Sequence, residues 1–257
     1  MGERRTAIVT GAGKRVGAEI TRALIADGWS VVAHVRRPDD AVAEGAVKIV
    51  ADLADPTCAG SIMAAAAGLP PVRLLVNNAA RFAPDALGSA SAGEFDAHMA
   101  VNVRAPLLLI EAFAAAHAFD PGGANDSLVV NLLDAKLAAP NPDFLSYTLS
   151  KFALAGLTEL AARALAPRGI RVNGVAPALM LRSAGQSEEN FAAMQSANPL
   201  GRGVAPSDVI AALRYLIASP AVTGEVLTID GGQRFWSLGR DVQFLSPSGD
   251  GQFLERQ

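Results

Sequence analysis

The sequence predicts a single α/β domain built on a doubly wound parallel sheet of about seven strands. Short β-branched segments alternate with alanine-rich helical stretches, and the β-branched segments are almost continuously apolar. Strands that are apolar along their whole length are typical of parallel sheets covered on both faces. Because crossovers between parallel strands are right-handed, the helices would cover both faces, which describes a Rossmann fold.

The elements are predicted in chain order from this alternation. Seven strands are expected at residues 6–10, 30–35, 47–50, 73–76, 128–133, 171–175 and 226–229. Six helices are expected at residues 16–27, 56–67, 92–101, 105–118, 147–166 and 206–218. Only about ten residues separate the second strand from the third, so the helix expected there is short or missing.

One domain is predicted over residues 1–234. Within it, the polar segment 181–200 is rich in Ala, Ser and Gln, and we expect it to be a mobile lid over the site. The tail, residues 235–257, is rich in Gly, Ser and Asp with scattered aromatic residues. We expect the tail to dock on a neighbouring subunit or to fray.

Composition excludes several classes of function. A net charge of −3 without a long basic run argues against nucleic-acid binding. The longest apolar stretch, 105–119, contains Glu111 and His117 and is too short to span a membrane. The single Cys58 suits a reducing compartment, and strand-like sequence from Thr6 leaves no room for a signal peptide, so we expect a cytoplasmic location. No metal site is predicted.

A tyrosine and a lysine one helical turn apart are the first candidate catalytic residues. Tyr147 and Lys151 would lie on the same helix face. An ammonium beside a phenol favours the phenolate, so we expect Lys151 to lower the pKa of Tyr147 and make it a usable acid or base. A carboxylate, Asp134, stands thirteen residues before Tyr147.

A glycine-rich turn, residues 10–17, joins the first strand to the first helix. Gly11 would permit the tight turn, and Gly17 would let the helix approach the sheet. The first amides of the helix could then bind a pyrophosphate. Such turns are often no more than tight turns, but this strand–turn–helix setting favours a dinucleotide.

Two strand ends agree with a dinucleotide site. Asp52 closes the third strand and could accept a hydrogen bond from an adenine amino group; alternatively it is an ordinary helix cap. Asn78 and Ala79 close the fourth strand, where the backbone would pass the adenine ribose.

Charge at the end of the second strand indicates which dinucleotide binds. NAD sites usually carry a ribose-binding carboxylate there. This chain instead has His34, Arg36 and Arg37, with Lys14 and Arg15 in the glycine turn. Four Lys and Arg side chains would converge on a 2′-phosphate, which predicts NADPH; the alternative is a solvated basic loop.

These residues together resemble the short-chain dehydrogenase/reductase family, over about residues 4–234. The motifs that carry the resemblance are Thr10-Gly…Gly17, Asp52, Asn77-Asn-Ala, Asn102, Tyr147-x-x-x-Lys151, Pro177 and Thr223-Gly…Asp230-Gly-Gly. The resemblance implies that Tyr147 donates a proton, Lys151 holds the nicotinamide ribose, and Asn102 organises a water chain to Lys151. It implies NADPH/NADP+ as cofactor. The predicted cofactor-binding residues are Gly11, Lys14, Arg15, Val16, His34, Arg36, Arg37, Asp52, Leu53, Asn78, Ala79, Tyr147, Lys151 and Pro177.

Three departures from the common family pattern are informative. Asp134 stands where most members have Ser, Arg15 where most have Gly, and Phe82 follows the Asn-Ala-Ala motif. This combination resembles the pteridine reductase branch, which includes bacterial dihydromonapterin and dihydrofolate reductases. The resemblance implies a catalytic set of Asp134, Tyr147 and Lys151, assisted by Asn102. It also implies that Arg15, Phe82, Asp134 and Tyr147 contact a pterin.

The charge of Asp134 favours the same substrate on physical grounds. Reducing a ketone places negative charge on oxygen, and a carboxylate 3–4 Å away would raise the barrier by about 4 kcal/mol, roughly a thousandfold in rate. Reducing a C=N bond passes through an iminium, which an anion stabilises. Alternatively, Asp134 pairs with Lys136 or Arg15 without a chemical role, or is protonated and replaces the Ser hydroxyl. Alternatively, Phe82 is a core residue rather than a residue that stacks on the substrate.

The predicted function is therefore NADPH-dependent reduction of a pterin or dihydrofolate-like C=N bond. A general carbonyl reductase acting on ketones or quinones is the second hypothesis. A non-catalytic NADPH-binding sensor is the third, against which the intact Tyr147, Lys151 and Asn102 argue. The resemblance also implies a homotetramer with helices 105–118 and 147–166 between subunits. The sequence does not identify which pterin or folate is bound.

Overall fold

The protein forms one seven-stranded, all-parallel sheet with strand order β3-β2-β1-β4-β5-β6-β7, which confirms the predicted fold class. The computed structural model describes residues 4–117, 126–183, 185–236 and 238–245. The strands are β1 Thr6–Val9, β2 Ser30–Val35, β3 Val47–Val50, β4 Val72–Asn77, β5 Ser127–Leu132, β6 Ile170–Pro177 and β7 Val226–Ile229.

Seven α-helices occur in the described part of the chain. They are α1 Arg15–Ala26, α2 Cys58–Ala64, α3 Ala92–Met99, α4 Ala105–Ala116, α5 Leu145–Leu165, α6 Glu188–Gln195 and α7 Pro206–Ala218. As predicted, β2 passes to β3 without a helix. The lid segment contains α6, which its polar sequence did not predict. Residues 118 and 184, the first at the end of a predicted helix and the second in the lid, lie outside the described residues.

A π-helical turn, Ala100–Arg104, joins α3 to α4, so two predicted helices form one continuous helix. Residues 92–116 have a mean hydropathy of 1.5 in their most apolar window and are long enough to cross a membrane. Core helices of soluble proteins meet the same criteria. Leu109 and Phe113 are buried against the sheet here, which fits a core helix.

Each face of the sheet is covered by its own helical layer. Ile20 of α1 and Leu213 of α7 pack on one face, together with Val9 of β1. Ile62 of α2 and Phe113 of α4 pack on the other. Apolar side chains of one strand point alternately to the two faces, so both layers depend on the same strands.

The last described residues of the tail, 238–245, lie against their own chain. Docking of the tail on a neighbouring subunit stays a prediction. The Arg240 Nε donates to the Asp143 carboxylate at 2.8 Å, and the Asn190 amide of α6 donates to the Leu245 carbonyl at 2.6 Å. Residues 246–257 lie outside the described part of the structure.

Candidate active site

A cavity of about 800 Å³ opens at the carboxyl ends of the central strands. Every predicted cofactor-binding residue lines it, as do the predicted substrate-binding residues Phe82 and Asp134. Asn102 lies behind the wall of the cavity and is fully buried. The structure therefore brings the predicted residues together in one cavity at this edge of the sheet, since loops after parallel strands meet there.

The glycine turn forms the floor of the cavity. Gly11 has a φ of +66°, and a Cβ at Gly17 would collide with the Gly11 carbonyl. The Asn78 amide donates to the Thr10 carbonyl at 2.8 Å and to the Gly11 carbonyl at 3.2 Å, which fixes the turn against β4. The first residue before α1, Lys14, is extended and its side chain does not cap the helix. The first amides of α1 are therefore available to an anionic ligand.

The predicted cations divide into two groups. Lys14, Arg36 and Arg37 are exposed at the cavity rim. Arg15 instead turns toward the lid, where its guanidinium donates to the carbonyls of Arg182 at 2.8 Å and Leu181 at 3.2 Å. Its φ of +53° is strained for a residue with a side chain.

His34 and Asp52 have local partners in addition to their place in the cavity wall. The Nδ1 atom of His34 accepts from the Gly11 amide at 3.2 Å, and its Nε2 lies 3.0 Å from the Ala51 carbonyl. This pattern needs a neutral ring, and burial lowers the pKa of His34. Asp52 accepts from the Ala54 amide at 2.9 Å, so it caps a turn as well as lining the cavity.

The structure brings Asp134, Tyr147 and Lys151 together. Asp134 follows β5 in extended backbone; one carboxylate oxygen accepts from the Lys136 amide at 2.8 Å and the other from the Tyr147 hydroxyl at 2.7 Å. Lys151, one turn after Tyr147 on α5, donates to the Leu132 carbonyl at 2.5 Å. The alternative that Asp134 pairs with the side chain of Lys136 or Arg15 is not what the structure shows.

The electrostatics correct the expected effect of Lys151 on Tyr147. Burial and the adjacent Asp134 carboxylate raise the pKa of Tyr147 well above its usual 10. Burial is the larger cause, and Asp134 adds to it because its carboxylate accepts directly from the Tyr147 hydroxyl at 2.7 Å. Burial also raises the pKa of Asp134 and lowers the pKa of Lys151 to about 8. Tyr147 is therefore held as a proton donor.

Asn102 connects two walls of the site. It lies in the π-helical turn, a feature often found at functional sites. Its amide donates to the Ser150 hydroxyl at 2.8 Å and the Arg81 carbonyl at 3.0 Å, and its oxygen accepts from the Arg81 amide at 2.7 Å. Asn102 thus holds α5 to the loop after β4. The water chain to Lys151 stays a prediction.

Phe82 stands over Tyr147 at the other end of the cavity. The two rings are perpendicular, with centroids 4.7 Å apart. One face of Phe82 stacks on Phe144, at 4.3 Å and 17°. Phe82 is 45% exposed, so it is a surface of the cavity rather than a core residue.

Several site residues were missed by sequence reasoning. Phe144 has a φ of +54°, immediately before α5, a conformation that its sequence does not signal. Lys136 donates to the Asp143 carbonyl and lies 3.3 Å from the Asp241 carboxylate. Asp241 comes about a hundred residues later in the chain, and no local motif marks it. Ser150, three residues after Tyr147 on the same helix face, could have been found by spacing.

Comparison with known proteins identifies relatives over almost the whole chain. A family model described as enoyl-(acyl carrier protein) reductase matches residues 11–234. Galactitol 2-dehydrogenase (L-tagatose-forming) of Cereibacter sphaeroides is 37% identical, with 90% of this chain and 95% of that protein covered. Pteridine reductase 1 of Leishmania tarentolae is 30% identical, with 88% and 95% covered.

A solved structure is similar to the whole fold. FolM alternative dihydrofolate reductase 1 from Brucella canis, crystallised with NADP, is 36% identical with a TM-score of 0.84. The match covers 92% of this chain and 96% of that one.

The buried ammonium of Lys151 leads to a prediction about pH and stability. Because burial lowers the pKa of Lys151 from 10.5 to about 8, the unfolded chain binds more protons than the folded chain between these values. Below pH 8 the folded protein bears the full cost of the buried charge. Raising the pH toward 10.5 should therefore stabilise the wild type relative to Lys151→Met, by up to about 3 kcal/mol.

Urea unfolding of both proteins at about pH 7.5 and about pH 10 measures this difference. Lys48→Met is the control variant, because it removes the same side chain at an exposed site. The prediction would be contradicted if the free energy of unfolding of the wild type did not rise with pH relative to that of Lys151→Met.

Proposed function

The chain belongs to the short-chain dehydrogenase/reductase family of oxidoreductases, and we propose that it reduces a pterin or dihydrofolate-like C=N bond with NADPH. The proposal includes a cytoplasmic location. Substrate is the open question within the family, because its relatives include both a sugar alcohol dehydrogenase and pterin or folate reductases.

The residues present fit NADPH. The uncapped amides at the start of α1 would bind the pyrophosphate, and the exposed Lys14, Arg36 and Arg37 would surround the 2′-phosphate. Lys151 would hold the nicotinamide ribose. When bound, NADPH supplies the hydride. The similar reductase from Brucella canis was crystallised with NADP.

The proton comes from Tyr147. Its raised pKa keeps the hydroxyl protonated at neutral pH, as a donor in the reductive direction requires. As the proton moves to the substrate nitrogen, negative charge develops on Tyr147. Lys151, on the next turn of α5, is the cation that offsets this charge.

The contact between Asp134 and Tyr147 is the observation that carries the proposal. Burial raises the pKa of Asp134, but its hydrogen bonds from the Lys136 amide and the Tyr147 hydroxyl act in the opposite direction and favour the ionised carboxylate. An anion at this position stabilises a protonated C=N group and opposes an oxyanion. The half-exposed ring of Phe82 adds a flat surface on which a pterin can stack.

Changing Tyr147 to Phe tests the proposal. The variant should lower the rate of NADPH oxidation with a dihydropterin by at least about 100-fold, because the proton donor is lost. Binding of NADPH, followed by its fluorescence, should be unchanged. Tyr215, the other tyrosine, is half-exposed on α7, and Tyr215→Phe should keep full activity. Undiminished turnover by the Tyr147 variant would sink the proposed mechanism.

A carbonyl reductase is the second candidate, favoured by the similarity to galactitol 2-dehydrogenase. Asp134→Ser distinguishes the two. If the carboxylate opposes an oxyanion, the variant should shift the ratio of ketone to pterin turnover toward ketones by up to about a thousandfold.

Asp134→Asn is the matched variant that removes the charge and keeps the shape. It should lose pterin turnover as Asp134→Ser does. If the ratio of ketone to pterin turnover is the same in the wild type and both variants, the charge of Asp134 does not select the substrate.

We also propose a homotetramer. The apolar side chains of Leu149, Phe152 and Leu160 on α5 are exposed in the single chain, as is Leu107 on α4. These two helices are the ones expected between subunits, and burial of these side chains would stabilise the assembly.

Light scattering should give four times the chain mass of 26.4 kDa. Phe152→Glu should reduce this mass, because it would bury a charge between subunits. Leu87→Glu, at an 88% exposed site away from both helices, is the control. A wild-type mass of one chain would contradict the assembly.

A further inference from the structure

Residues 238–245 form part of the wall at the substrate end of the cavity, and we call this segment the strap. Leu238, Asp241 and Val242 line the cavity together with Tyr147 and Asp134. We propose that the strap determines substrate specificity, with Phe244 setting the position of the Phe82 ring and Asp241 accepting N–H donors of a flat amino-substituted heterocycle. The identity of the substrate rests on the proposed function.

Polar contacts anchor the strap to the loop before α5. One oxygen of Asp143 accepts from both the Arg240 Nε and the Asp241 amide, each at 2.8 Å. The Lys136 ammonium lies between the Asp143 carbonyl and the Asp241 carboxylate. Lys136 is only two residues after Asp134, so the strap is tied directly to the catalytic loop.

A second set of contacts anchors the strap to the lid. The amide of Asn190, on α6, donates to the Leu245 carbonyl at 2.6 Å and to the Val242 carbonyl at 3.3 Å. Asn190 is 8% exposed, so these bonds are shielded from water. The strap therefore bridges the lid and the loop that carries Asp134.

Three aromatic rings connect the strap to the substrate surface. Phe244 stacks on Phe144 at 5.7 Å and 14°, and Phe144 stacks on Phe82 at 4.3 Å. Phe144 is buried and held at a strained φ of +54°, which leaves its ring little freedom. Neither Phe244 nor Phe144 lines the cavity, so Phe244 acts through Phe144 as a positioning residue for Phe82.

The chemistry of Asp241 specifies the class of ligand. Its two oxygens accept from the Gln243 amide at 3.1 Å and the Lys136 ammonium at 3.3 Å, and each carboxylate oxygen has a further lone pair. Asp241 lines the cavity as Asp134 does, and both carboxylates accept from Lys136, Asp241 from its ammonium and Asp134 from its amide. Two carboxylates lining one cavity suit a ring edge that carries amino or ring N–H groups, and a simple ketone offers no such donor.

Phe244→Ala tests the positioning role. Loss of the stacking contact should raise the KM for the dihydropterin about 5-fold, while kcat and the affinity for NADPH stay near the wild-type values. Phe244→Tyr retains the ring and should restore the KM. Phe235→Ala is the control, because Phe235 is 71% exposed in the same tail and its ring lies over Arg234 instead.

Asp241→Asn tests the recognition role separately. It should raise the KM for the dihydropterin and leave the KM for a small ketone unchanged, with the exposed Asp96→Asn as control. Arg240→Ala, which removes an anchor without entering the cavity, should raise the KM as Phe244→Ala does.

Unchanged KM values in Phe244→Ala and Arg240→Ala would overturn the role of the strap. Equal effects of Asp241→Asn on both substrates would overturn recognition of N–H donors. If the wild type reduces only ketones, the proposed function fails instead. In that case, a higher KM for the ketone in Phe244→Ala and Arg240→Ala would support the role of the strap, and an unchanged KM would contradict it.

Discussion

The hydrogen bond from the Tyr147 hydroxyl to the Asp134 carboxylate is the contact on which the rest of the site depends. It joins the end of β5 to the first turn of α5, so its 2.7 Å length requires both elements to be fixed. It also affects the chemistry, because burial and the adjacent carboxylate together raise the pKa of the phenol and keep it protonated. A serine at position 134 would orient Tyr147 without supplying this charge.

Buried polar contacts hold α5 where this bond needs it. Asn131 of β5 donates to the Thr158 hydroxyl at 2.9 Å, which fixes the middle of the helix on the sheet. Asp85 accepts from the Ser146 amide at 2.9 Å, which fixes its first turn, and Asn102 bonds to Ser150 on the second turn. All are shielded from water, so loss of any one would leave unpaired buried groups near the catalytic residues.

The sequence was sufficient for the sheet and for the glycine turn, because both depend on local patterns. Almost continuously apolar, β-branched segments marked the strands, and Gly11 and Gly17 marked the turn that only glycine fits. The predicted direction of the Tyr147 pKa shift was wrong, since spacing along a helix shows that Lys151 is near but shows neither the burial of Tyr147 nor its bond to Asp134. The helix α6 and the strap were missed because contacts distant in sequence stabilise them.

The two sides of the cavity are built from different kinds of sequence. The cofactor side is built from contiguous motifs, whereas the substrate side is assembled from Phe82, Asp134, Phe144 and a strap that comes about a hundred residues later. Galactitol 2-dehydrogenase and pteridine reductase 1, whose names indicate different substrates, are each similar to about nine tenths of this chain. Under the proposed function, specificity depends on charge and aromatic surface at positions that leave the fold unchanged, and Asp134 would supply the charge where it opposes an oxyanion most strongly.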